Sequence, residues 1–352
     1  MKKLAVAILF GGESEEHDVS IKSAKEIAGS IDTENYQPIY VGITKAGHWK
    51  LCDSPETNWE QANLPTAFLS PDKHIPGLII LNERGYQRIP IDVVFSVLHG
   101  KTGEDGAMQG LFELSGIPYV GCDIQSSVLC MDKSLTYLVT KHAGFNTPKF
   151  VVLDEEERLG AHPLNYPVFI KPARSGSSFG VTKVYRPEEV DQAIETARKY
   201  DSKILIEEAV SGIEVGCAVL GNQVQLITGE VDQITLNNGF FKIHQEKNPE
   251  KGSENSFFTV PAALPIEKRK EIQSTAKNIY KALGCTGLAR IDLFLTDDGR
   301  LIINEINTMP GFTSYSRYPR MMKAAGFSIT QLIENSIALA QEKTLIIKTI
   351  KK

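Results

Sequence analysis

Apolar residues along this chain recur with two periods, and their succession outlines βαβ units followed by hairpins. Residues 4–10, LAVAILF, are apolar without interruption and end at Gly11-Gly12, which predicts a strand buried on both faces. From Ser14 the pattern turns polar and then sets Val19, Ala24, Ile27, Ala28 and Ile31 near one helical face, before a second apolar run at 39–43. A third run, 91–98, leads into HGKTGEDG, a helical stretch around 108–114 and a short strand at Tyr119. Open α/β sheets collect ligands at the carboxyl ends of their strands, and Glu16 and His99 both stand at such ends. Either is equally explained structurally: an acid steadies a helix's first turn, and a histidine can be a hydrogen-bonded core residue. Gly11-Gly12 lacks the third glycine and spacing of a dinucleotide fingerprint.

Past residues 121–130 the pattern changes. MDKSLTYLVTKHAG, 131–144, reads as a helix stopped by Gly144 with Pro148 beyond it. Strands at 166–172, carrying Lys171, and 181–185 then flank the loop RSGSSFG, 174–180, which includes Ser177 and Ser178. Small polar residues suit such a loop to laying N–H groups over phosphate oxygens. It is not a Walker loop, because strands flank the glycines and the lysine precedes them. Alone it is an ordinary turn; Lys133 and Lys171 alter that only in company. A helix at 187–199 leads to the strand KILIEEAV, whose exit carries Glu207 and Glu208, and Glu214 opens the next strand, EVGCAVLG.

The stretch 236–255, LNNGFFKIHQEKNPEKGSEN, is long, polar and rich in breakers, as functional lids are. His244 lies near its middle. Beyond it, 288–295 and 301–306 are strand-like runs flanking Asp298-Gly299, which predicts a hairpin with a two-residue turn. That register sets Asp292 opposite Glu305 and Arg290 opposite Asn307, all on one face; a three-residue turn would put Asn304 there instead. Two carboxylates and an amide supply the oxygen ligands that hard cations take. Two ions about 4 Å apart could share a carboxylate while holding terminal phosphates. From Ser328 the tail reads as an amphipathic helix ending in a basic stretch.

The 352 residues are 42% apolar and 23% charged, an ordinary globular balance that accommodates two or three subdomains. A net charge of -5 argues against a nucleic-acid partner held by a broad basic surface. The five cysteines are odd in number and form no CxxC, so they indicate neither a disulfide framework nor a zinc site, and a reducing cytoplasm fits. The N-terminal apolar run is too short for a signal peptide and no run reaches the roughly 18 residues of a membrane span.

Taken together, Lys133, Lys171, the Gly/Ser loop, Glu207, Arg290, Asp292, Glu305 and Asn307 resemble the ATP-grasp enzymes. GGESEEHDVS, HGKTGEDG, MDK, KPARSGSSFG, IEEAVSGIEVG, ARIDLF and NEINTMPGFTSYSRYP resemble the D-alanine:D-alanine ligase family, in order and spacing, over nearly the whole chain. The resemblance implies an α+β / α/β ATP-grasp fold of three subdomains. Residues 1–121 would form a Rossmann-like (preATP-grasp) domain holding the first D-alanine, 122–212 the central subdomain, and 213–345 the C-terminal one with a lid at 236–256. It implies ATP held by Lys133, Lys171, Ser177, Ser178, Glu207, Glu208 and Glu214, with Mg2+, two ions or Mn2+ in its place, on Asp292, Glu305 and Asn307. Glu16 and His99 would bind the first D-alanine, Arg290 and the Gly311 N–H the oxyanion, and Ser316 the acceptor's carboxylate. A homodimer is implied as well.

In that family the lid carries a tyrosine that bonds to a serine of the Gly/Ser loop and a glutamate, here read as Ser177 and Glu214. This lid has no tyrosine. Its GFFKIHQEKNPEKGSEN is similar to the VanA/VanB-type vancomycin-resistance D-alanine:D-lactate ligases, which implies that His244 selects D-lactate as acceptor. The product would then be a depsipeptide for modified peptidoglycan precursors. D-Alanine and D-serine acceptors are the alternatives. A nucleotide-binding scaffold without chemistry is disfavoured by the complete set Arg290, Asp292, Glu305 and Asn307.

Overall fold

The computed structural model describes residues 2–236 and 256–350 apart from positions 84, 156, 158, 161 and 162. His244 and the stretch 237–255 of the predicted lid lie outside the described residues. The N-terminal region runs β1 (Leu4–Gly11), α1 (His17–Ser30), β2 (Tyr36–Ile43), β3 (Trp49–Cys52), β4 (Ala67–Leu69), β5 (Leu78–Asn82), β6 (Gly85–Ile89), β7 (Val93–Ser96) and α2 (Ala107–Ser115). β1 pairs parallel to both β2 and β7 in a sheet of order β3-β2-β1-β7, as its uninterrupted apolar run predicts. The small antiparallel meander β4-β5-β6 is an addition that the apolar pattern did not announce, its strands being three to five residues long with an exposed last member.

Next come α3 (Ile124–Met131), α4 (Lys133–His142), β8 (Phe150–Leu153), β9 (Val168–Pro172), β10 (Thr182–Val184), α5 (Val190–Arg198) and β11 (Ile204–Glu208). The four strands form one antiparallel sheet, β10-β9-β11-β8. α5 buries Val190, Ala193, Ile194 and Ala197, the i, i+3, i+4, i+7 stripe, in one core with Val168, Ile170, Ile204 and Ile206. Burial of a side chain such as Ile194 is worth about 1.5–3 kcal/mol.

The last region holds β12 (Ile213–Asn222), β13 (Gln225–Thr228), β14 (Asp232–Leu236), β15 (Ser256–Thr259), α6 (Ile266–Ala282), β16 (Leu288–Leu295), β17 (Leu301–Asn307), α7 (Arg317–Ala324) and α8 (Ile329–Ile350). Its sheet runs β15-β14-β12-β16-β17, with β13 on β12. α8 returns to the start of the chain: Leu332, Ile333 and Ile337 share a core with Val6, Ile8 and Phe10, and with Leu220 and Tyr318. That shared core fixes the N-terminal sheet against the C-terminal one. All five cysteines are buried free thiols.

The hairpin β16-β17 departs from its predicted turn in an informative way. Leu295 pairs with Leu301, and Thr296 N–H donates to Arg300 O at 3.0 Å, so three residues, Asp297, Asp298 and Gly299, make the bend, with Gly299 left-handed at φ 83°. The two-residue turn is therefore wrong. Carried on unbroken, the register Leu293↔Ile303 would place Asn304 opposite Asp292. A bulge takes up Asn304, and Asp292 pairs with Glu305 and Arg290 with Asn307 after all. The Asn304 carbonyl accepts the Tyr137 hydroxyl of α4 at 3.0 Å, which anchors the extra residue.

Candidate functional site

Three elements bring the charged residues together: the face of β16-β17, the strands β9 and β11 with their Gly/Ser loop, and the carboxyl ends of β1 and β7. On the first, Asp292 is fully buried and takes Arg290 Nε and Nη2 at 2.8–3.0 Å, Asn307 Nδ2 at 3.2 Å, and Arg317 Nη2 at 3.2 Å. Glu305 has Lys133 Nζ at 3.4 Å. Burial alone would raise its pKa, but Lys133, Arg290 and Lys171 outweigh that and hold it down to about 2. The face thus keeps a charged carboxylate at any physiological pH. Asn307 spends its amide N–H on Asp292, which leaves its carbonyl oxygen available, so two carboxylates and an amide oxygen suit a hard divalent cation. Among the described residues, no group of three or more His, Cys, Asp or Glu side chains is arranged to hold a metal.

Lys133 joins the hairpin to the Gly/Ser loop. Its helix α4 starts where Asp132 accepts the Ser134 and Leu135 N–H groups, and its Nζ donates to Ser175 O at 2.8 Å. Lys171 donates to Glu207 Oε1 at 2.6 Å, and Tyr137 donates to Glu207 Oε2 at 2.9 Å. Ser177 and Ser178 both hold positive φ, 50° and 60°, a strained pair for residues with a Cβ. They are the central residues of a tight turn closed by Phe179 N–H donating to Gly176 O at 3.2 Å, and backbone N–H groups in turns can form an anion-accepting concavity. Glu208 faces away from this group: its Oε1 accepts Asn165 N and Nδ2 at 2.9 and 3.0 Å.

Glu16, which precedes α1, reaches the same loop. Ser177 Oγ donates to Glu16 Oε1 at 2.6 Å. A Cβ on Gly100 or Gly176 would stand 2.8 or 2.9 Å from Glu16 Oε2, so a side chain at either position would push that carboxylate aside. Of the two residues read as partners of the family's lid tyrosine, Ser177 bonds here to Glu16. Glu214 instead accepts Arg317 Nη1 at 3.0 Å. Burial pushes Glu214 up to about 7; Arg317 pulls the other way, and Asp292, Glu305 and Asp232 add to the rise.

His99 is buried and uses both ring nitrogens within the protein, Nδ1–H donating to Met309 O at 2.9 Å and Nε2 accepting from Ser23 Oγ at 3.3 Å. Burial lowers its pKa, which keeps the ring neutral in this tautomer. Ser316, just before α7, lies against Gly311: a Cβ there would meet Ser316 Oγ at 2.8 Å. Its hydroxyl is 2.6 Å from Thr313 Oγ1.

Arg317 and Asp232 are the residues that sequence reasoning missed. Arg317 Nε and Nη2 donate to Asp232 at 2.7 and 2.9 Å, beneath Asp292. Gly216 of β12 sits between Asp232 and Asp292 in register, and a Cβ there would lie 2.5 Å from Arg317 Nη2. The signal was present in the SRYP segment, where a basic residue follows Ser316, but its acidic partner lies 85 positions earlier.

Two family models match this chain: D-ala D-ala ligase N-terminus over residues 5–122 and D-ala D-ala ligase C-terminus over 139–338. The vancomycin/teicoplanin A-type resistance protein VanA of Enterococcus faecium is 63% identical over 340 residues, 97% of this chain and 99% of that protein. A Streptomyces coelicolor protein provisionally named a D-alanine–D-lactate ligase is 58% identical over 340 residues, 97% of this chain and 98% of that one. The crystal structure of the VanG D-Ala:D-Ser ligase from Enterococcus faecalis, 42% identical, superposes with a TM-score of 0.86 over 96% of this chain and all of that one.

Proposed function

Since the chain belongs to the D-alanine–D-alanine ligase family, we propose that it joins D-alanine to D-lactate at the expense of ATP, through a D-alanyl phosphate. The family is ATP-dependent and uses a divalent metal. One observation supports the chemistry most: Lys133 Nζ touches both the Gly/Ser loop, at Ser175 O, and Glu305 on the acidic face. A single cation thus bridges the parts that phosphate and metal each need.

In this reading Asp292, Glu305 and Asn307 hold two Mg2+ ions, which spread the charge of the terminal phosphates when bound. Lys133, Lys171 and the Ser177-Ser178 backbone cradle those phosphates, with Glu207 and Glu214 toward the nucleoside; Glu208, turned to Asn165, is left out of the nucleotide site. Glu16 takes the ammonium of the first D-alanine, whose carboxylate attacks the γ-phosphorus as the bond to the β-phosphate oxygen breaks, releasing ADP and leaving the D-alanyl phosphate. The acceptor hydroxyl then attacks the acyl phosphate carbonyl. Arg290 and the Gly311 N–H receive the developing oxyanion; one such donor is worth about 3 kcal/mol. Phosphate leaves carrying the hydroxyl's proton, and Ser316 holds the acceptor's carboxylate. Residues 1–121, 122–212 and 213–345 act as the three subdomains, in a cytoplasmic homodimer. No helix among the described residues is long and apolar enough to cross a membrane.

Acceptor choice rests on His244. As imidazolium it attracts the D-lactate carboxylate and repels the ammonium of D-alanine, so the hydroxy acid prevails near neutrality. As pH rises the histidine loses its charge and more D-alanine is free amine, so amide product gains. Product analysis with ATP, Mg2+, D-alanine and D-lactate together, from about pH 6 to about pH 9, tests this. A flat ratio of depsipeptide to dipeptide, or a His244→Tyr variant that keeps its D-lactate preference, counts against it.

A further inference from the structure

The segment carrying Gly311 is gripped by side chains of the N-terminal region. Glu104 Oε1 accepts the Met309 N–H at 2.8 Å, while His99 Nδ1–H donates to the Met309 carbonyl at 2.9 Å. Ser23 Oγ accepts the Phe312 N–H at 3.2 Å, and Glu26 Oε2 accepts that of Ser314 at 3.1 Å. Ser23 also donates to His99 Nε2, so two of these anchors brace each other. Between the anchored groups, the Gly311 N–H has no protein acceptor among the described residues.

Glu104 is the member with a second connection. Its other oxygen, Oε2, accepts the Gly100 N–H at 2.9 Å, and Gly100 is packed against Glu16. One carboxylate therefore ties the residue beside Glu16 to the residue two before Gly311. The position does not favour a charge: burial, with Glu16 adding to it, pushes Glu104 up to about 7, against the Gly100 and Met309 N–H groups and Arg290. The two N–H bonds and Arg290 offset part of that cost.

We propose that Glu104 is a positioning residue for acyl transfer, holding the Gly311 donor at a fixed place relative to Glu16 and so to the carbonyl of the first substrate. The proposal rests on the function proposed above. It touches no reacting atom, so its effect is on geometry. An oxyanion donor is strongest where it is preorganised, and displacement by about 1 Å costs on the order of 100-fold in rate. Ground-state binding of ATP uses other residues and is left alone.

Glu104→Ala and Glu104→Gln, assayed beside wild type for D-alanine-dependent ADP release and for thermal unfolding, test it. Glu104→Ala is expected to lower kcat by about 10- to 100-fold while KM for ATP and for D-alanine stays within about threefold. Glu104→Gln, which keeps one acceptor oxygen, is expected to lose less than Glu104→Ala but still more than about threefold in kcat, with the same unchanged KM values. If the alanine variant does not unfold cooperatively, the glutamine variant decides by the same split. Active wild type with kcat of the decisive variant within about threefold overturns this proposal alone, as does a fall in kcat matched by a rise in KM for ATP. Wild type without D-alanine-dependent ADP release overturns both readings.

Discussion

Arg317 is enclosed by Asp232, Asp292 and Glu214, and the first two carboxylates are buried completely. Removing the guanidinium takes from the buried Asp232 both of its hydrogen bonds to Arg317, while Asp292 keeps Arg290, and a buried carboxylate deprived of its cation costs about 3–5 kcal/mol. Arg317→Met should therefore show that loss in urea unfolding, whereas an unchanged midpoint would mean the carboxylates find other partners. Gly216→Ala tests the same cluster sterically. A methyl 2.5 Å from Arg317 Nη2 and 2.6 Å from Asp232 Oδ1 should cost about 1–3 kcal/mol. Lys133, Lys171, Arg290, Asp292, Glu305 and Asn307 were legible singly because their type and spacing suggested chemistry. Arg317 and Asp232 were not, because each is unremarkable until the sheet brings them together across 85 positions.

At the scale of elements, the hairpin β16-β17 reached its expected pairing by an unexpected route. The turn contains one residue more than the Asp-Gly signal implied, and the bulge at Asn304 restores the register, so that Glu305 and not Asn304 opposes Asp292. Turn length and a bulge depend on packing further along the strand, here on Tyr137, which the local pattern does not contain. Tyr137 is fully buried, and its hydroxyl serves both Glu207 and the Asn304 carbonyl. Tyr137→Phe keeps the ring and strands both acceptors. It should lower unfolding free energy by about 1–3 kcal/mol. An equal stability in chemical denaturation would show that water replaces the hydroxyl.

For the whole molecule, the buried charges of the cleft set opposite trends of stability with pH. Glu305 has a folded pKa of about 2 against an ordinary 4.5, so its contribution is fully present above 4.5 and is lost as pH falls toward 2. Glu214, raised from 4.5 to about 7, behaves in the reverse sense: its contribution is present below 4.5 and is lost as pH rises through 7. Glu214→Gln should therefore flatten the fall in stability between about pH 4.5 and about pH 7, read as urea midpoints at fixed ionic strength. An unaltered slope would place that titration elsewhere.

By itself the sequence determined the parts: buried strands from uninterrupted apolar runs, helices from their periodic stripes, a Gly/Ser loop with lysines, and a hairpin face bearing Arg290, Asp292, Glu305 and Asn307. These follow from local geometry, since side-chain direction repeats every two residues in a strand and about every 3.6 in a helix. Only the tertiary structure decided the partners. Ser177 meets Glu16 across 161 positions, and Glu104 meets Met309 across 205. Such pairings are set by how the sheets pack through the core that α8 shares with β1, and the energy of burying that core is not written in any one segment.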